Sequence, residues 1–159
     1  ILKKEIRKSD LIIFTVGTAL ISPRGRRDDP VLETVESQKS AIKQVTDEIL
    51  KINHNAHIVL TLSPIPIELI LDWDKSSSAV EADCVQKSIS RVAMHELFSK
   101  DFKDVDNISY FPSFEIVRWL TPLTSVINPN WIDFHHPDPK VIESIATIFE
   151  SVYFKASYT

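Results

Sequence analysis

The sequence predicts a three-layer α/β/α domain on a small parallel sheet, and three observations carry that expectation. Apolar, β-branched runs at 10–16 and 57–62 read as strands covered on both faces, and 107–111 reads as a short third strand. Segments with helical apolar spacing separate the runs, so strand and helix alternate three times. Long loops follow the first two runs at the carboxyl end, where open α/β sheets place their ligands.

The elements follow in order. Ile1 to Ser9 is charged and reads as the end of a helix, and the first strand then runs from Asp10 to Val16 and stops at Gly17. Thr18 to Pro30 has no periodicity and reads as a substrate loop. Asp29-Pro30 resembles an N-cap with proline at the first helical position, and Val35, Ile42, Val45, Ile49 and Ile52 form the stripe of the helix that follows. Asn53-His54-Asn55 breaks that helix. His57 to Leu62 is the second strand, and Pro64 and Pro66 stiffen its exit. Glu68 to Ser78 forms a second loop at the same end. Val80 to Lys100 reads as a helix with Val85, Ile89, Val92, Ala93 and Leu97 on its packed face and Cys84 as a small packed side chain. Asn107 to Phe111 is a short third strand closed by Pro112. Asp138-Pro139 starts a last helix whose apolar face is Val141, Ile145, Ile148, Phe149 and Val152. With no internal repeat or linker, residues 1–159 read as one domain.

Composition narrows the function classes. The chain has 159 residues, 43% of them hydrophobic and 25% charged, the balance of a folded globular domain. Its formal charge of −4 gives no broad basic surface, which argues against nucleic acid or an anionic membrane as partner. The run Arg24-Gly25-Arg26-Arg27 is local and is followed at once by Asp28 and Asp29. No apolar run approaches the roughly twenty residues of a membrane span. A single cysteine excludes an internal disulfide framework and fits either a reducing compartment or a protein that needs no bridges, so localisation stays open with the cytoplasm favoured. The chain begins at Ile1 rather than Met, which leaves any upstream targeting segment open.

The stretch Trp131-Ile132-Asp133-Phe134-His135-His136-Pro137 places an acid three positions before an imidazole. An aspartate at that spacing can accept from Nδ1, fix the tautomer and leave Nε2 aimed at a nucleophile, which makes a general base. The same residues also fit a polar turn before a helix. With Asp138 they also offer a metal-ion site, although no Cys or His cluster completes the ligand set.

Four stretches together resemble the GSCFA family, a branch of the SGNH (GDSL-like) hydrolases: Phe14-Thr-Val-Gly-Thr-Ala19, Leu60-Thr-Leu-Ser-Pro-Ile-Pro66, Tyr110-Phe-Pro-Ser-Phe-Glu-Ile116 and Asp133-Phe-His-His-Pro137. The family's helix motif S-K-S-x-L-R is met in part by Gln86-Lys87-Ser88-Ile89-Ser90-Arg91. The resemblance implies a flavodoxin-like SGNH hydrolase fold in which 10–16 corresponds to the third strand. The first strands, with the nucleophilic serine of the G-S-C-F-A motif, would then lie upstream of Ile1. It further implies that His136 is the general base, that Asp133 orients it, and that no metal or organic cofactor is needed. Gly17 and Thr18 fall in the oxyanion block. Ala19 takes the place of an asparagine donor there, so oxyanion stabilisation rests on backbone N–H groups.

Could a serine within the chain serve instead? Ser63 lies at the right edge of the sheet, but Pro64 removes the next N–H that a nucleophile turn requires. Ser63, Tyr110 and Glu115 are therefore expected to shape the site or brace its loop, and a salt bridge or cap fits Glu115 equally well.

The expected function is that of an acyl-ester hydrolase or O-acyltransferase. Its substrate is an acyl ester or other acyl donor, and its serine comes from the N-terminal half of the domain, on the same or a companion chain. Two rivals stand beside it. One is a non-catalytic binding or regulatory remnant that pairs with a partner chain. The other is a metal-dependent hydrolase using Asp133, His135 and His136.

Overall fold

The computed structural model describes residues 2–21, 31–66, 79–120 and 138–154. Helix α1 (Leu2–Ile6) precedes β1 (Leu11–Val16), and Leu20–Ile21 (β2) pairs antiparallel with Val31–Leu32 (β3). Then follow α2 (Val35–Ile52), β4 (His57–Leu62), α3 (Ala79–Ser99) and β5 (Ile108–Phe111). A single α turn, α4 (Ser113–Glu115), runs into a π-helical turn at Ile116–Leu120, and α5 (Pro139–Tyr153) ends the described chain.

β1, β4 and β5 form one parallel sheet in that order, with Val16 opposite Leu62 and Thr61 opposite Phe111. Side chains alternate between faces, so Ile58, Leu60 and Leu62 point the same way as Ile108 and Tyr110. They meet Ile42 and Ile49 of α2 and Met94 and Leu97 of α3 in the main core. The other face receives α5: Phe149 stacks edge-on against Phe111 at 5.1 Å, and Tyr153 hydrogen-bonds Ser109, which also bonds His57. Helices, sheet and helix make three layers, the α/β/α architecture the strand pattern predicts.

Three details differ from the sequence pattern. Helix α2 begins at Val35, not at Pro30, because the Thr34 side chain accepts from the Ser37 N–H and caps it. Residues 31 and 32 instead join the short β ribbon. The packed face of α3 is also rotated: Val85 and Val92 are exposed, while Ala82, Asp83, Gln86, Lys87, Ser90, Met94 and Leu97 are buried. Cys84 is exposed as well. Finally, β1 is covered on one face only. Ile13 remains 54% exposed because α5 lies over β4 and β5, and among the described residues β1 pairs on one edge alone.

The helix breaker at Asn53 acts as its sequence suggests. It is the extended C-cap of α2, and its amide donates to the Ile6 and Ser9 carbonyls, tying the start of β1 to the end of α2. Asp138 caps α5 through the Lys140 N–H, with Pro139 in the first turn. That helix packs along Val141, Ile145, Phe149 and Tyr153, leaving Ile148 and Val152 exposed.

Candidate functional site at the carboxyl edge of the sheet

The parallel register brings Gly17, Ser63 and Ser113 to one edge. Val16 and Leu62 are opposite one another, and the Ser63 N–H donates to the Val16 carbonyl at 2.9 Å, so the two exit loops leave side by side. After β5, the Ser113 hydroxyl reaches back to the Leu62 carbonyl at 3.1 Å and also contacts the Thr61 hydroxyl. Ser113 went unmarked in the sequence reading, although it lies within the Tyr110 to Ile116 stretch.

The loop after β1 is held from α3. Lys87 Nζ donates to the Gly17 carbonyl at 2.7 Å, and the Ala19 N–H donates to Gln86 Oε1 at 3.1 Å. The Ala19 carbonyl accepts from the Glu33 N–H at 2.8 Å. Ala19 is 0% exposed, and its backbone is engaged on both sides, so its N–H does not serve an oxyanion. Gly17 and Thr18, which precede it in that block, are both at exposed positions. A side-chain carbon at Gly17 would meet nothing within 4 Å, so the loop borders open space.

Ser63 begins the exit from β4. Its hydroxyl accepts from the Ile65 N–H at 3.3 Å and closes a local turn, and no described histidine bonds it. The following Pro64 carbonyl accepts from Arg118 at 2.7 Å. Arg118 also contacts Asp83 at 2.8 Å, and Asp83 accepts from Gln86 at 3.1 Å. A continuous polar chain thus links the loop after β4, through α3, to the loop after β1.

Tyr110 and Glu115 form a second brace. The Tyr110 hydroxyl donates to both Glu115 oxygens at 3.0 and 2.8 Å, and Arg91 pairs with the same carboxylate at 2.5 Å. The Arg91 guanidinium lies 5.0 Å above the Tyr110 ring. Burial and the adjacent carboxylate push the Tyr110 hydroxyl well above the usual phenol range, so it stays a donor at any working pH.

Lys87 is 3% exposed, and burial pushes its ammonium down to about 8. Asp83, Gln86, Lys87 and Ser90 recur at helical spacing on the packed side of α3. That polar stripe inside an otherwise apolar helix was the signal for this apparatus, and the stronger Val and Ile spacing concealed it. Asp133, His135 and His136 lie outside the described residues, as do the loops 22–30 and 67–78. Among the described residues no group of three His, Cys, Asp or Glu could hold a metal, and no helix is long and apolar enough to cross a membrane.

The fold is thus that of an α/β protein whose parallel sheet has its carboxyl-edge loops pinned by buried polar side chains. The chain belongs to the GSCFA family, which it matches over residues 1–149. Neither a curated protein nor a solved structure matches it.

Proposed function

We propose that the protein is a serine-dependent acyl-ester hydrolase or O-acyltransferase of SGNH type. In this reading a serine from the N-terminal half of the domain, on the same or a companion chain, attacks the acyl carbonyl. His136 takes the serine proton and returns it to the leaving group, and Asp133 orients the imidazole. The acyl-enzyme then passes its acyl group to water or to a hydroxyl.

The observation that carries this reading is Gly17, its carbonyl fixed from α3 and its other side facing open space, at the carboxyl edge of a parallel sheet. Preorganised N–H groups at such an edge are what a developing oxyanion requires. The half-exposed Ile13 and the unpaired edge of β1 among the described residues support the proposed docking of a further strand there. The test is fluorophosphonate labelling of the complete protein beside Asp133→Ala and His136→Ala variants.

A second reading is a binding module without catalysis. It is favoured by Ala19, which supplies no side-chain donor and whose N–H is engaged by Gln86. Under it, the complete protein resists fluorophosphonate and both variants behave as the parent does.

A further inference from the structure

A cleft of about 480 Å³ opens between α3 and the π-helical turn, within the size range of small-molecule sites. Its lining includes Lys87, Arg91 and Arg118 with Phe114, the exposed Cys84, and Trp119, which is 68% exposed. Two of these cations face carboxylates: Arg91 pairs with Glu115 and Arg118 with Asp83. Among the described residues Lys87 is the one of these three cations with no carboxylate at ion-pair distance, a surplus of one positive charge.

Lys87 is also under-satisfied. An ammonium carries three N–H donors. Among the described residues this one makes a single hydrogen bond, to the Gly17 carbonyl, although it is almost wholly buried. Buried donors without partners are uncommon because each costs desolvation that nothing returns. The wall beside it is aromatic, with Phe114 under the Arg118 guanidinium at 6.0 Å and Trp119 at the rim.

We propose that this cleft binds a small monocarboxylate with an apolar or aromatic body, the carboxylate accepting from Lys87 and the body lying against Phe114 and Trp119. A single negative charge balances the surplus, whereas a doubly charged phosphate would exceed it. Because Lys87 also holds Gly17, such a ligand sits beside the acyl-transfer edge, and there it serves as the carboxylate-bearing part of a substrate. That role rests on the acyl-transfer reading. The binding itself does not.

Cys84 is the chain's one cysteine and lines the cleft, so its modification by N-ethylmaleimide reports occupancy directly. The complete protein is treated with the reagent and modification of Cys84 itself is followed by peptide mass, with 3-phenylpropionate, 3-phenylpropanamide or inorganic phosphate present. The proposal expects the acid to protect Cys84 at a concentration about tenfold lower than the neutral amide requires, the scale of one charge-assisted contact. It expects inorganic phosphate not to protect. In Lys87→Met the acid loses its advantage and protects no better than the amide. Equal protection by acid and amide in the parent protein overturns the proposal without recourse to any variant. Protection by phosphate as strong as by the acid overturns the monocarboxylate assignment. The readout needs no turnover, so protected Cys84 in a protein that resists fluorophosphonate leaves the site standing without the chemistry. Unprotected Cys84 in a labelled protein removes the site alone.

Discussion

Replacing Lys87 by methionine should make the protein more stable at neutral pH. Burial lowers the ammonium from 10.5 to about 8, a span of two and a half pH units. At about 1.4 kcal/mol per unit, carrying the charge in the fold costs at most about 3.5 kcal/mol. The bond to the Gly17 carbonyl offsets on the order of 1 kcal/mol of this. Methionine has a similar length, removes the charge and forfeits the bond, so a gain of about 1 to 2 kcal/mol at pH 7 is expected. The sign with pH follows from proton binding. The unfolded chain keeps the lysine proton up to 10.5 while the folded one releases it near 8. Between those values the unfolded state binds more protons, so the parent's stability rises with pH relative to the variant. Urea unfolding of both proteins at pH 7 and again near pH 10 reads the difference. The variant should be ahead at pH 7 and lose its lead near pH 10. A variant less stable at pH 7, with a pH-independent gap, would refute the account of Lys87.

Gln86→Ala leaves the buried Ala19 N–H without its partner and removes a donor to Asp83, so it should cost about 1 to 3 kcal/mol in urea midpoint. In Tyr110→Phe the Glu115 carboxylate loses two contacts; the expected loss is about 1.5 to 3 kcal/mol, and a cycle with Arg91→Ala should show non-additivity because both serve one carboxylate. Ile13→Asp replaces a half-exposed side chain and should cost the chain about 1 kcal/mol or less. If β1 receives a strand from the proposed N-terminal half, the same change should abolish co-elution of the two halves on size-exclusion chromatography.

Much of the fold was legible because it rests on local chemistry. The apolar run at 57–62 became the buried strand β4, the short strand expected at 107–111 became β5, and Asp138-Pro139 started α5 as its capping pattern indicates. What the pattern misled on was tertiary. In α3, Val85, Ile89 and Val92 outweigh the polar residues by hydropathy, yet Asp83, Gln86 and Lys87 face inward because the loops after β1 and β4 present backbone groups there. No periodicity reveals a carbonyl or amide contributed from some seventy residues away. The same limit applies to β1, whose apolar run resembles a strand covered twice although Ile13 lies outside the reach of α5. At the edge itself, Gly17, Ser63, Tyr110 and Glu115 stand out in the sequence as expectations, but the division of their contacts does not. Ser63 closes a turn, and Tyr110 and Glu115 form one brace with Arg91. That division depends on which groups meet across the sheet.

The most direct test of the central proposal is fluorophosphonate labelling of the complete protein, with the modified residue located by peptide mass and p-nitrophenyl acetate turnover measured alongside. The account predicts a label on a serine outside residues 1–159 and a loss of turnover on the order of a thousandfold or more in His136→Ala. Unchanged turnover in His136→Ala, or a label on Ser63 or Ser113, would contradict it.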